Sequence, residues 1–400
     1  MVKLRWLQAV TALLCGALLS ACASLDGSAV AANQLPPLLQ NGYAMSLADA
    51  FAGPPAPDLL ELTPEMKAFV TRYAPADGGA RQRLLSLHEA VKGQGALGVV
   101  YDPVADGTAA AVFRAGVANC LSFAHLFVAL AREAGLDARY QWLEVRPQWT
   151  RMGERVSVRL HVNVMVRMPA GEQFMVDIDP LQSRDVAASR LLSDVDAAAL
   201  DHNNIAMGAL ARGDIEAAWS ELARALRLSP GLSQLWVNLG VVYRHVGQLD
   251  DAEWSLLQAL AIDSGDRSAM NNLVVLYAQM GRGEERDFWV ERIERHRDRN
   301  PWYHAWLGDR AAEEGDWLAA SKHYRVALKL NPDDSAMLYA SGIIHFRLRQ
   351  YAAAERLIEQ AIDAASLRSD IQGYRAQLEL VRQRQLADTQ PAVDPGSTRI

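Results

Sequence analysis

The chain has 400 residues, of which half are hydrophobic and 22% charged, with a formal net charge of −7. That is apolar material enough for two globular units, and an acidic chain without a basic run is excluded as a nucleic-acid binder. Three cysteines in so long a chain exclude a fold built on a disulfide framework.

Residues 1–21 carry the marks of an export signal. Lys3 and Arg5 supply a positive start, and Leu7 to Leu19 supply an apolar stretch too short to span a bilayer. The stretch ends Leu19-Ser20-Ala21-Cys22, which resembles the lipobox of bacterial lipoproteins. That resemblance implies a diacylated Cys22 as the new N-terminus, held in a membrane by acyl chains in which each buried methylene contributes ~0.8 kcal/mol. Ala23 stands where a retention signal favours Asp, so the resemblance to Gram-negative lipoproteins implies an outer-membrane anchor facing the periplasm. Loss of residues 1–21 removes two positive charges and no negative ones, leaving −9. No later stretch is long and apolar enough to be a transmembrane helix. With Cys15 in the leader and Cys22 taken by lipid, Cys120 is the single thiol of the mature chain, either an inert core residue or a reactive group.

Residues 22–57 are rich in Ala, Pro, Gly and Ser, with Pro36-Pro37 and Pro54-Pro55. They read as a flexible tether with an end-to-end distance of roughly 30 Å. From 58 to 190 the patterns mix. Thr63 is placed to cap a helix opened by Pro64, with Met66, Phe69 and Val70 on one face, and residues 81–93 form a second amphipathic helix. Asn119 is placed to cap a third, which carries Cys120, Phe123, Ala124, Phe127, Val128 and Ala131 and is ended by Gly135. The period then changes: Ala138 to Val145, Val156 to Met168 and Gln173 to Ile178 alternate as strands do, with Pro169-Ala170-Gly171-Glu172 as a tight turn.

A helix start is a favourable place for a reactive thiol, because unpaired N–H groups there stabilise a thiolate and can hold the oxyanion formed when it attacks an acyl carbon. Such a thiol needs an imidazole, and the imidazole needs an acceptor behind it. Alternation in the strand around His161 places His161, Asn163 and Met165 on one face. A hairpin turning near Pro169 or Ala170 then sets His161 opposite Asp177 or Asp179, and spacing does not separate the two acids.

Asn119-Cys120-Leu121-Ser122-Phe123-Ala124 resembles the helix start of transglutaminase-like cysteine enzymes, a branch of the papain-like group, and the order Cys, His, Asp over roughly 95–180 is theirs. The resemblance implies an α+β domain in which the Cys-bearing helix packs on an antiparallel sheet. It makes Cys120 the nucleophile, His161 the general base and Asp177 the orienting acid. The chain departs from the family at Leu121 and Asn163, where aromatic residues are frequent. Arg114 stands six before the cysteine, where papain-like proteases carry Gln. His125 lies about 140° around the helix from Cys120 and so off its face. No metal, nucleotide or other cofactor motif appears: His88-Glu89 lacks the second histidine of a zinc helix.

From 199 to 385 the chain repeats. Ala218, Ala252, Ala320 and Ala354 are spaced by 34 or 68 residues, as are Gly240, Gly308 and Gly342 and the set Ala225, Ala259, Ala327 and Ala361. A 34-residue period means stacked helix pairs. Trp236-Val237-Asn238-Leu239-Gly240-Val241-Val242-Tyr243, followed by Ala252, Leu256 and Ala259, resembles the tetratricopeptide repeat. Five units are expected, the third degenerate with Val274 for Gly and Arg286 for Ala, then a closing helix near 372–385 and a disordered tail over 386–400. The resemblance implies an all-α superhelix whose concave face binds a protein or peptide. Two functions follow as expectations: a lipid-anchored cysteine hydrolase or acyltransferase working through a thioester on Cys120, or a scaffold in which the repeats recruit an envelope protein.

Overall fold

The computed structural model of the chain describes residues 31–54, 56–145, 160–181, 186–365 and 368–389. The export signal, the lipobox with Cys22 and the residues from 390 on lie outside that description. The chain divides into two compact units, the first closing at Ile293 and the second holding the rest of the helical region.

In the first unit, α1 (Leu47–Phe51) is followed by α2 (Pro64–Tyr73), where Thr63 Oγ1 accepts from the Met66 N–H at 3.3 Å. Next come α3 (Ala80–Lys92), α4 (Ala109–Ala115) and α5 (Cys120–Glu133). Every residue of α5 from Leu121 to Ala131 is buried, as expected for a helix that is apolar all round. Gly135, at φ 71°, ends it in the left-handed conformation. Two short parallel strands, β3 (Val100–Tyr101) and β4 (Val117–Ala118), lie just ahead of Cys120. A four-stranded sheet runs in the order β7-β6-β5-β8, from β5 (Asp137–Val145), β6 (Leu160–Arg167), β7 (Gln173–Val176) and β8 (Val186–Leu192), and α5 packs against β6. The turn falls where expected: the Met168 N–H donates to Glu172 O at 2.8 Å. Strand β8 was not legible in the sequence, because Ala188 to Leu191 all face solvent and show no alternation.

The stretch expected to be a flexible tether is ordered structure over 31–54. Strands β1 (Leu38–Gln40) and β2 (Tyr43–Met45) form a hairpin whose turn, Asn41-Gly42, has both residues at positive φ. Leu35 and Leu38 are buried, and the main chain is held by side chains of the repeats. Tyr243 Oη donates to Pro36 O, Gln248 donates to Pro37 O at 3.0 Å and accepts from the Leu39 N–H at 2.8 Å, and Arg224 donates to Ala50 O at 3.1 Å. Composition counted the prolines; the apolar residues between them found cover far along the chain.

The helical pairs of this unit are α6 (Asp194–Ala211) with α7 (Ile215–Leu228), α8 (Ser233–His245) with α9 (Leu249–Ile262), and α10 (Arg267–Met280) with α11 (Gly283–Asp298). The change of sequence pattern between 190 and 199 is not a packing boundary. One hydrophobic core continues from Phe123, Phe127 and Leu130 to Trp219, Trp236 and Tyr243.

The second unit holds α12 (Pro301–Glu313) with α13 (Trp317–Leu330), α14 (Ser335–Arg347) with α15 (Tyr351–Ala364), and α16 (Arg368–Thr389). Among the described residues five pairs and a closing helix therefore stand where the period places them, and α16 continues four residues into the tail expected to be disordered. The periodic glycines have a steric cause. A Cβ on Gly240 would lie 2.9 Å from Leu256, one on Gly308 2.5 Å from Tyr324, and one on Gly342 2.7 Å from Ile358. Each neighbour sits sixteen positions on, in the facing helix. In the third pair Val274 occupies the glycine position, and Val290, sixteen on, is 37% exposed. Helix α11 buries only Ile293, and the division between the two units falls at that residue. Among the described residues no helix is long and apolar enough to cross a membrane.

Candidate active site

Cys120 is the first residue of α5, and its thiol is free and partly exposed. Asn119 caps the helix: its Oδ1 accepts from the Ser122 N–H at 2.9 Å, while Ser122 Oγ accepts from the Asn119 N–H at 3.0 Å. This reciprocal box takes up two of the donors that a helix start leaves open. Phe123 begins the intrahelical ladder with a bond to Asn119 O at 3.0 Å. The N–H groups of Cys120 and Leu121 are left at the helix mouth, beside the sulfur, at the positive end of the helix dipole. Donors so placed can hold an oxyanion on an attacked carbonyl. Arg114 turns its Nε to Ala110 O, one turn back on its own helix, at 3.2 Å.

His161 lies on β6 with Nε2 2.5 Å from Asp177 Oδ2, and both residues are buried. The strand register explains the partner. Val164 pairs with Val176 and Met165 with Met175, so a continued ladder would set Asn163 opposite Asp177 and His161 opposite Asp179. Strand β7 stops at Val176, and the Asp177 carboxylate reaches diagonally to His161 while also accepting from Asn163 Nδ2 at 3.4 Å. Its second oxygen accepts from the Asp179 N–H at 3.1 Å. Of the two acids that spacing left open, Asp177 meets the imidazole, and Asp179 is exposed and contributes only a main-chain donor here. Sequence reasoning missed Lys92, whose Nζ donates to Asp177 O at 3.1 Å and Ile178 O at 2.9 Å and so holds the main chain that presents the carboxylate. An exposed-looking lysine in the last turn of a helix carries no signal of such a role.

Burial alone would push the His161 pKa down from 6.5, but hydrogen bonds to Asp177 and Cys120, and the charges of both, outweigh it and raise it to about 9. At neutral pH the ring is therefore an imidazolium between a carboxylate and a sulfur. Nε2 is occupied by Asp177. This arrangement can hold a proton next to a nucleophile and deliver it to a leaving group.

The remaining candidates fall elsewhere. His125 is fully buried, with Nδ1 2.7 Å from Tyr140 Oη, and is no partner of the thiol. Among the described residues no group of three His, Cys, Asp or Glu side chains could hold a metal ion. A loop before α4 clasps the cysteine's helix start: Ala105 O accepts from the Asn119 N–H at 3.0 Å and from Ser122 Oγ at 2.7 Å. Val104 of that loop is 81% exposed, and Val100 of β3 is 62% exposed.

Residues 69–178 match the model of the Transglutaminase-like superfamily. The domain is transglutaminase-like. Stretches 203–282, 307–367 and 339–388 match the tetratricopeptide repeat, so the helical region is a tetratricopeptide array. The chain is similar to a crystal structure of MamA protein (15% identity, 50% of this chain and 98% of that one, TM-score 0.24). It is also similar to PilF of Pseudomonas aeruginosa (21%, 49% and 100%, TM-score 0.24) and to YrrB, described as a tetratricopeptide protein with an unusual peptide-binding site (17%, 46% and 92%, TM-score 0.23). Scores that low carry no argument about function. No curated protein matches the chain.

Proposed function

We propose that the chain is a cysteine hydrolase or acyltransferase that acts on amide bonds through a thioester on Cys120, with the repeats as a protein- or peptide-binding module. The observation that carries this reading is the His161–Asp177 pair, 2.5 Å apart and buried, with the Cys120 thiol at a capped helix start among the groups that raise the pKa of the same ring. Cys120 Sγ attacks the amide carbon, and the oxygen takes the negative charge and is held by the N–H groups of Cys120 and Leu121. Collapse breaks the C–N bond, and the leaving nitrogen takes its proton from the His161 imidazolium. The neutral ring then removes a proton from water (hydrolysis) or from an amine (transfer), and attack on the thioester releases the acyl group and restores the thiolate–imidazolium pair. Asp177 holds the ring and its charge throughout. The placement we propose follows from the lipobox: anchored by lipid on Cys22 in the outer membrane, facing the periplasm.

The test is chemical. In the folded full-length protein Cys120 alkylates with iodoacetamide at neutral pH much faster than a free thiol does, and Cys120→Ala removes amide turnover. Alkylation only after denaturation ends the enzyme reading. The repeats support a second reading, a scaffold that recruits an envelope protein. A cellular phenotype indifferent to Cys120→Ala but lost on substitution within the repeats selects it. Cys22→Ser moves the chain out of the membrane fraction if the lipid holds it there.

A further inference from the structure

We propose that Asp106 is a positioning residue for Cys120, held from the first repeat helix by Asn204, so that the first repeat completes the thiol site. This rests on the reading of Cys120 as nucleophile. The starting point is the cap itself. Asn119 caps α5 only while its Oδ1, and not its Nδ2, faces the Ser122 N–H. Asp106 Oδ1 accepts from Asn119 Nδ2 at 2.6 Å, and an ionised carboxylate only accepts, so this contact determines which way the amide is turned. A reversed amide would oppose two donors at Ser122, and the turn that carries Cys120 would lose its cap. The sulfur, the N–H groups beside it and the distance to His161 all depend on that turn.

Helix α6 runs antiparallel along α5 and meets it at three levels. Arg132, near the end of α5, bonds Asp194 at the start of α6 through two contacts of 2.6 and 2.8 Å. In the middle, His125 Nε2 lies 3.5 Å from Asp201 Oδ1. At the Cys120 end, the Asn204 side chain is among the groups that lower the Asp106 pKa, and Asp106 in turn holds Asn119. Only this last level touches the cap. Burial raises the Asp106 pKa, and the bonds from Asn119 and Asn204 lower it against that cost, with the Asp201 charge adding to the rise and His125 opposing it. The carboxylate is therefore met from both sides, by Asn119 at the cap and by Asn204 from the repeats. The family matches divide the chain between 178 and 203, yet the groups that act on Asp106 come from both sides.

The experiment uses the full-length chain and iodoacetamide as probe, with melting temperature measured alongside. Asp106→Ala slows alkylation of Cys120 about tenfold and Asn204→Ala about threefold. Asp106→Asn, which keeps an acceptor oxygen, recovers most of the rate. Arg132→Met, which cuts the far level, lowers the melting temperature and leaves alkylation near the wild-type rate. The proposal is overturned if Asp106→Ala alkylates within about twofold of wild type, if Asp106→Asn is as slow as Asp106→Ala, or if Arg132→Met slows the reaction as much. Should Asp106→Ala fail to fold, Asn204→Ala and Asp106→Asn decide by the same readings. A wild-type thiol no faster than a free one is a different result, and counts against the enzyme reading itself.

Discussion

His125 and His161 are both buried residues of the transglutaminase-like domain, and both lie close to Cys120, one in the chain and one in space. His125 rides on the cysteine's own helix and meets Tyr140 Oη and Asp201 at the junction with the first repeat. The Tyr140 phenol has its pKa pushed far up, chiefly by burial, so it supplies a hydrogen bond and no charge. His161 comes from a strand and meets a buried carboxylate at 2.5 Å, with Cys120 also acting on its pKa. Burial is common to the two rings. For His161, a carboxylate at 2.5 Å outweighs that burial and makes the ring a proton store.

Removing that countercharge breaks the contrast, and it is the largest effect expected. Asp177→Asn lowers amide turnover about a thousandfold, because the ring loses both its charge partner and its orientation. The same variant changes the pH dependence of stability. His161 has a folded pKa of about 9 against 6.5, so its protonation stabilises the native state fully below 6.5, and that contribution is lost as pH rises through 9. Urea unfolding of the wild type should show stability falling across that window, with a shallower fall in Asp177→Asn. Equal slopes would mean that the carboxylate does not hold the proton on the ring.

A middle-sized effect sharpens the other side of the comparison. His125→Leu leaves the buried Tyr140 hydroxyl unpaired and costs about 1–3 kcal/mol of stability, read as a lower urea midpoint. Alkylation of Cys120 in the folded variant stays within about twofold of wild type. A large loss of reactivity there would erase the distinction between the two rings. The smallest effect belongs to Asp179→Asn: the residue is exposed and gives Asp177 only its main-chain N–H, so turnover changes by less than about twofold.

Much of this was legible before any coordinates. The Asn119 cap, Cys120 as the first helical residue, His161 on an alternating strand and the 34-residue period all express local rules, in which a few neighbouring residues settle the conformation. The choice between Asp177 and Asp179 was not local. It turned on the ladder stopping at Val176, which freed the next carboxylate to reach across to His161. Nor could the residues packed over 31–54 be foreseen, because Leu35 and Leu38 are covered by helices some two hundred positions away. Lys92 and Asp106 act through hydrogen bonds to residues outside their own turns, and nothing in the residues beside them marks either.

By itself the sequence determined the kinds of element and the chemistry they carry: a thiol at a helix mouth, an imidazole on a strand, acids after the next, and helix pairs closed by small residues. Those follow from backbone hydrogen bonding and side-chain period, which act over a few residues. Tertiary structure alone decided which acid meets the imidazole, which carboxylate turns the cap, and that the first repeat packs into the same core as the thiol. Such choices depend on where chain segments distant in sequence come to rest, because an apolar surface is buried by whatever reaches it, and a buried polar group is satisfied by whichever partner arrives.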